Sequence, residues 1–317
     1  MRAAIRSGVL GWTLNFKVDY PDPYFDSLNK NANDVLVQVS SAAINPIDYK
    51  IPRAMFGPIY GIDVSGEVIK VGSAVTEFSV GDAVFGASKG SLCETAISGV
   101  EGIAKKPESW TFSEVASLPV AYLTGLQGLR DVGAVTNGSS VLIIGASGGC
   151  GIAAIHIAKG LGATRIVGIC SGKNRDFVHD AGATEIVDYT DSNALDSFFS
   201  TNSGKFDCVY DAATGSGAGE NYTKKSMTVM TDKGQYVQIN GGASVWGRKV
   251  LGMMKPRQNL ILTKMKSEDL TTVTQLLDKI DAKPYLNPMN FSEEEVRKGF
   301  ELLKSRRTKG KIVFEVK

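Results

Sequence analysis

Val141-Leu-Ile-Ile-Gly-Ala-Ser-Gly-Gly-Cys-Gly-Ile152 is an apolar, strand-like run that enters a glycine-rich turn and leaves it as a helix. Gly145, Gly148 and Gly151 satisfy a G-x-x-G-x-x-G spacing, with Gly149 as a further small residue. Missing side chains let the backbone approach a pyrophosphate, whose charge is favoured by the free N–H groups of a helix N-terminus. A glycine trio alone is weak evidence in a chain with 35 Gly, and a tight strand-to-helix turn asks for the same residues. The flanking strand and helix carry the dinucleotide reading.

Outward from this loop, strand-like and helical runs alternate. Ser140-Val-Leu-Ile-Ile-Gly145 is followed by Ile152 to Leu161, Arg165-Ile-Val-Gly-Ile169 by Asn174 to Ala181, and Phe206-Asp-Cys-Val-Tyr210 by Asn221 to Met230. Gln235-Tyr-Val-Gln-Ile-Asn240 and Asn259-Leu-Ile-Leu-Thr263 add strands. Such alternation predicts right-handed βαβ crossovers on a parallel sheet buried on both faces, an α/β doubly wound unit. Before Pro119 the rhythm differs: Val35 to Ser41, Asp63 to Val71 and Asp82 to Phe85 are short β-branched runs bounded by turn residues, which predicts an antiparallel, barrel-like β unit. The tail gives two helices, Glu268 to Ile280 and Ser292 to Ser305, and a strand, Lys311-Ile-Val-Phe-Glu315, whose return to the first unit would make that domain discontinuous. The expected division is 1–119 with 267–317, and 120–266.

The second strand of the alternating region ends where an NAD site supplies an acidic residue to the ribose. Here stands Cys170-Ser-Gly-Lys-Asn-Arg175, with no carboxylate but a hydroxyl and two cations where a 2′-phosphate would lie. Charge-assisted hydrogen bonds contribute roughly 1.5 to 3 kcal/mol each, so two favour NADPH by about a hundredfold or more. Lys173 and Arg175 could instead be a solvated first helical turn, but cations are disfavoured there unless an anion is present. Tyr189, ending Val187-Asp-Tyr189, could pack beside the same phosphate or ribose.

Composition bounds the rest. The 317 residues suit about two domains, and 43% hydrophobic with 21% charged residues fits a globular protein. A net charge of +2 without a basic stripe argues against nucleic acid as the primary partner. No apolar stretch reaches the roughly 18 to 20 residues needed to span a bilayer, and the first residues lack an apolar signal core, so a cytoplasmic location is expected. Cys93, Cys150, Cys170 and Cys208 are widely spaced and His156 and His179 are the only histidines, so no zinc ligand set is expected.

Ala43-Ile-Asn-Pro-Ile-Asp48, Gly61-Ile-Asp-Val-Ser-Gly-Glu-Val68, Val80-Gly-Asp-Ala-Val84, Leu118-Pro-Val-Ala-Tyr-Leu-Thr-Gly125, Ala146 to Gly151, Ala181-Gly-Ala183 and Thr308-Lys-Gly-Lys-Ile-Val313 follow one another in a telling order. Over nearly its full length the chain resembles the medium-chain dehydrogenase/reductase superfamily, and within it the zinc-free quinone oxidoreductases, zeta-crystallin-like and chloroplast-envelope types, with their enone reductase branches. The resemblance implies a GroES-like β-barrel catalytic domain beside a Rossmann domain. In zinc-dependent relatives a cysteine and a His-Glu pair hold the metal; the corresponding positions here are Asn45 and Ile62-Asp63. It also implies Asn45 and Thr124 on the nicotinamide side and Asp48 shaping the pocket. Ser147, Gly148, Gly149, Cys150, Gly151 and Ile152 would meet the pyrophosphate, Ser171, Lys173 and Arg175 the 2′-phosphate, and Asn240, Gly241 and Gly242 the nicotinamide. Cys150 replaces a more usual Val. Lys311 would reach the cofactor, or would simply be solvated on its strand.

The implied reaction is direct hydride transfer from NADPH to a small quinone or α,β-unsaturated carbonyl, in which the protein orients the rings and excludes water. Tyr49, Tyr60 and Tyr122 are candidates for the proton that follows, with solvent an equal one. Ile51, Met55, Phe56, Tyr49 and Tyr60 would line the substrate pocket. His156 and His179 are expected to be structural or exposed. A non-catalytic NADPH-binding protein (a sensor, a crystallin-like or an RNA-associated one) is the rival reading. A homodimer could form through the strand near Asn259 to Thr263.

Overall fold

The computed structural model describes residues 1–7, 13–22, 31–50, 54, 57–217, 219 and 221–317. They form two compact units, one of Met1–Val120, Met265–Thr274 and Lys283–Lys317, the other of Ala121–Lys264 and Gln275–Ala282.

The second unit holds a six-stranded sheet, all of whose neighbours are parallel. In space the strands run Glu185–Asp188, Arg165–Cys170, Ser140–Ile144, Phe206–Asp211, Met230–Gln238 and Gln258–Leu260. Numbered along the chain this is 3-2-1-4-5-6, the doubly wound order that reverses beside the first strand. Val141, Leu142, Ile143 and Ile144 are all buried, because helices cover both faces of the sheet and a continuous apolar run is what such a strand requires. Leu142, Val167, Phe206, Val209 and Tyr236 belong to one core cluster of this unit. The helix Gly149–Gly160 leaves the first strand and is buried along most of its length.

The first unit is built on antiparallel strands. Asp34–Ala43 pairs with Asp63–Val71, which pairs with Ala83–Ala87, and Thr95–Gly99 also pairs with Asp34–Ala43. On the other side of Asp34–Ala43 lies the strand Lys311–Glu315, antiparallel, with Val313 opposite Ala43 and Glu315 opposite Ser41. Leu286–Asn290 continues the sheet in parallel with it. Val39, Val64, Leu92, Phe300 and Phe314 share one core. The chain is thus an α/β protein of one antiparallel β unit and one doubly wound parallel-sheet unit.

Candidate functional site

In the second unit the strand Ser140–Ile144 ends at Gly145, whose φ of +78° lies in the left-handed region that side chains disfavour. The Gly148 N–H donates to the Gly145 carbonyl at 3.2 Å and closes the turn. A Cβ on Gly151 would lie 2.3 Å from the Gly145 oxygen and 2.7 Å from two backbone atoms of Ala146, so the helix can approach the strand end only without one. Among the described residues no side chain caps this helix at Gly148, which leaves its N-terminus for an external anion. Ser147, Gly148, Gly149, Cys150 and Gly151 lie together in this turn.

Asn174 joins this loop to the end of the next strand. Its Nδ2 donates to Ser147 Oγ at 3.1 Å and to Ser171 Oγ at 3.2 Å, while its Oδ1 is buried without a partner among the described residues. Lys173 sits in a single helical turn and Arg175 begins the helix Arg175–Asp180, both exposed. Arg175 donates to the Ile186 carbonyl at 3.4 Å, and Tyr189 is 45% exposed. The absence of a carboxylate from Cys170–Arg175 gives only part of the picture. Asp188, aligned with Cys170 on the neighbouring strand, places Oδ2 2.2 Å from where a Gly172 Cβ would stand. Hydrogen bonds from the Thr190 hydroxyl and backbone hold the Asp188 carboxyl below its usual range. A negative charge therefore sits close to Arg175 and the Gly172 turn.

The donors around Asn240 are organised by a residue that sequence reasoning passed over. Asp211 is fully buried at a strand end; Oδ1 accepts from the Ala213 and Thr214 N–H groups at 2.9 and 2.8 Å, and Oδ2 from the Tyr236 hydroxyl at 2.7 Å. Burial, first, and the Asp211 charge keep that phenol protonated. Asn240 donates to the Ala212 carbonyl at 2.9 Å, Gln238 donates to the Asn240 carbonyl, and Gly241 packs on Leu260. Thr124 Oγ1 lies 2.7 Å from Thr263 Oγ1. Tyr122 Oη is 2.9 Å from His156 Nδ1, and both side chains are buried. Burial pushes the His156 imidazole down to about 4, so it is neutral at pH 7. Tyr122 is thus a partner of His156 within the core, and His179 is exposed.

In the first unit Asn45 precedes the short helix Pro46–Lys50, with proline at its first position, where the missing N–H is not needed. Asp48 turns back so that its Oδ2 accepts from the Asn45 N–H at 2.7 Å. Desolvation raises the Asp48 carboxyl to about 7, against the opposing effect of that N–H. Asn45 Nδ2 donates to Asp63 Oδ2 at 2.8 Å. Lys311 offers its three hydrogens to Asn45 Oδ1 at 2.5 Å, Asp63 Oδ2 at 2.9 Å and the Ile44 carbonyl at 3.3 Å. The expected cofactor contact of Lys311 gives way to an internal one, because three acceptors use all three hydrogens. Tyr60 is buried, with Phe300 at 5.1 Å and the Arg6 guanidinium 4.3 Å from its ring centre, and burial raises both the Tyr60 and the Tyr49 phenols. Ile51, Met55 and Phe56 lie outside the described residues.

Among the described residues no three His, Cys, Asp or Glu side chains converge, and burial pushes the Cys170 and Cys208 thiols up to about 11 and about 12. A dinucleotide fits the turn at Gly145–Gly151, where a glycine cradle meets an uncapped helix and Asn174 ties Ser147 to Ser171.

Residues 31–127 match the alcohol dehydrogenase GroES-like domain family, and residues 181–314 match the zinc-binding dehydrogenase family. The 2-methylene-furan-3-one reductase of Solanum lycopersicum is 30% identical over 300 residues, covering 89% of this chain and 71% of that protein. A chloroplastic quinone-oxidoreductase homolog of Spinacia oleracea is 36% identical over 235 residues, covering 68% of this chain and 69% of that one. The structure of a quinone oxidoreductase from Coxiella burnetii superposes with a TM-score of 0.80 at 28% identity, over 100% of this chain and 99% of the other.

Proposed function

We propose, from the premise that this chain belongs to the medium-chain dehydrogenase/reductase superfamily and is an oxidoreductase of its quinone oxidoreductase type, that it uses NADPH to reduce a small quinone or α,β-unsaturated carbonyl without zinc. The observation that carries the reading is the Gly145–Gly151 cradle, which a single Cβ at Gly151 would fill. A reduced nicotinamide supplies a hydride, and the rest falls to the protein.

Ser147 to Gly151 would hold the pyrophosphate against the helix N-terminus. Ser171, Lys173 and Arg175 would hold the 2′-phosphate by charge-assisted hydrogen bonds. Asp188 works against them, so the preference for NADPH over NADH is smaller than two such bonds alone would give. Asn240 and Gly241, fixed by Gln238 and Asp211, would keep the nicotinamide side in one orientation, with Thr124 as a further polar contact. Tyr49 and Tyr60 would line the substrate side. Tyr122, committed to His156, is set aside as a proton donor, which leaves Tyr49, Tyr60 or solvent.

The test is NADPH oxidation at 340 nm with 9,10-phenanthrenequinone, 1,4-benzoquinone and a medium-chain enal, repeated with NADH and with Arg175→Ala. Turnover is expected, and the variant should raise the KM for NADPH about tenfold while leaving that for NADH within about twofold. Tight NADPH binding without turnover would instead favour the binding-protein reading. A homodimer fits the same chain, because Gln258–Leu260 is an end strand of its sheet and the nearby Leu251, Met253 and Leu262 are exposed. Sedimentation is expected to give twice the chain mass of 33.8 kDa, and Leu262→Glu should halve it; a wild-type monomer at micromolar concentration would end that part of the proposal.

A further inference from the structure

The hydrogen bonds around Asp63 form a nearly closed account. Asp63 is 0% exposed and the Lys311 side chain 7%, so this ion pair is out of water. Asp63 Oδ1 accepts from the Val120 N–H at 2.9 Å, and Oδ2 accepts from both Lys311 and Asn45. The ammonium has spent its three hydrogens. An ammonium must face the Asn45 oxygen and a carboxylate must face its nitrogen, so the pair fixes which way the carboxamide is turned. Among the described residues one cluster N–H lacks an acceptor: the second Nδ2 hydrogen of Asn45. Asn45 and Asp63 both grip the Lys311 ammonium, so a positive charge from the chain itself sits beside the carboxamide.

We propose that Lys311, through its ion pair with Asp63, is a positioning residue that locks the Asn45 carboxamide and presents its remaining N–H to the oxygen of the carbonyl or quinone being reduced. This rests on the reductase reading above. Charge develops on that oxygen as the hydride arrives, and a preorganised donor stabilises it most when it need not reorient. Lys311 touches neither substrate nor cofactor in this account; it acts through Asn45.

Removing one member of a buried ion pair strands the other, whereas replacing both with neutral side chains of similar size avoids that penalty. The decisive protein is therefore the double variant Asp63→Asn/Lys311→Met, compared with Lys311→Met and wild type by melting temperature, by kcat and KM for 9,10-phenanthrenequinone, and by NMR of asparagine side chains labelled with 15N. The Asn45 signals are assigned by their loss in Asn45→Asp. In the wild type the two Asn45 Nδ2 hydrogens should be well separated and slow to exchange. The double variant should melt near wild type and lose that separation, and its kcat should fall about 10- to 100-fold with KM within about twofold. A double variant that regains wild-type kcat along with its melting temperature would overturn the proposal, and so would unchanged Asn45 signals. If wild type turns over neither quinone nor enal, the reductase reading fails, and the NMR comparison alone decides whether Lys311 positions Asn45. Should the double variant not fold, Lys311→Arg, which keeps the charge but changes the donor geometry, carries the same two readouts.

Discussion

Replacing Gly151 with valine is expected to weaken NADPH binding by at least about 100-fold, a loss of about 2.7 kcal/mol or more. The Cβ alone would lie 2.3 Å from the Gly145 carbonyl oxygen and 2.7 Å from the backbone of Ala146. These are main-chain atoms at the end of a central buried strand, so no side chain can rotate away. The helix must lift off the strand, and with it the N–H groups that would receive the pyrophosphate. Overpacking of this sort costs about 1 to 3 kcal/mol of stability as well. Gly148→Ala is the matched control: its Cβ would meet the Gly145 oxygen at 3.5 Å, an ordinary contact, so the fold should keep its melting temperature while affinity falls through contact with the ligand alone. Titration calorimetry with NADPH and a thermal melt separate the two effects. A Gly151→Val protein that binds NADPH within about twofold of wild type would move the cofactor elsewhere.

Asp48→Asn is expected to stabilise the protein at pH 8 by about 2 to 4 kcal/mol and to have little effect at pH 4. Asp48 is fully buried, with one oxygen on the Asn45 N–H and the other, Oδ1, without a partner among the described residues. Asp63, Lys311, Arg6 and Tyr60 are the charged and titratable groups that act on it or feel it. Desolvation outweighs the nearby cations, so the carboxyl moves from its usual 3.8 up to about 7 on folding. The folded state then holds a proton that the unfolded chain releases, and stability present below pH 3.8 is lost as pH rises to about 7. At about 1.4 kcal/mol per pH unit over roughly three units the limit is about 4 kcal/mol, reduced by the new amide hydrogens that asparagine brings. Denaturation midpoints at pH 4, 6 and 8 check this. Equal differences between variant and wild type at all three would show that Asp48 folds in its ionised form.

The second unit was legible because its determinants are local. An apolar run, a glycine turn and a helix fall within Val141–Ile152, and repeated strand–helix alternation leaves few topologies once crossovers must be right-handed. Ser147 and Ser171 were legible as turn residues just past strand ends, and that is where the structure has them. The site was not legible where a side chain answers to a partner distant in sequence. Asp188 meets Gly172 because two strands lie in register, and no spacing rule announces that the carboxylate missing from one strand end is supplied by its neighbour. Lys311 and Asp63 are 248 positions apart, so from sequence Lys311 was read toward the cofactor or as solvated on its strand, with its partner out of view. Asp211 drew no reading from the sequence, yet its carboxylate holds the turn that follows it. Tyr122 alone carries a plausible chemistry, and its burial and its hydrogen bond to His156 assign it to the core.

The strand Lys311–Glu315 that flanks Asp34–Ala43 gives the protein a timetable as well as a shape. Asn45 and Lys311 are separated by 266 positions. At ribosomal rates of about 5 to 20 residues per second, the early strand and its acidic neighbour Asp63 wait roughly 13 to 53 s for the partner that completes them. Meanwhile every strand of the parallel sheet, from Ser140 to Leu260, has already been made. The nucleotide-binding half can therefore be standing before the half that carries Asn45 has received its final strand, and for that interval a nascent chain exposes an unpaired β edge and a carboxylate still lacking its cation.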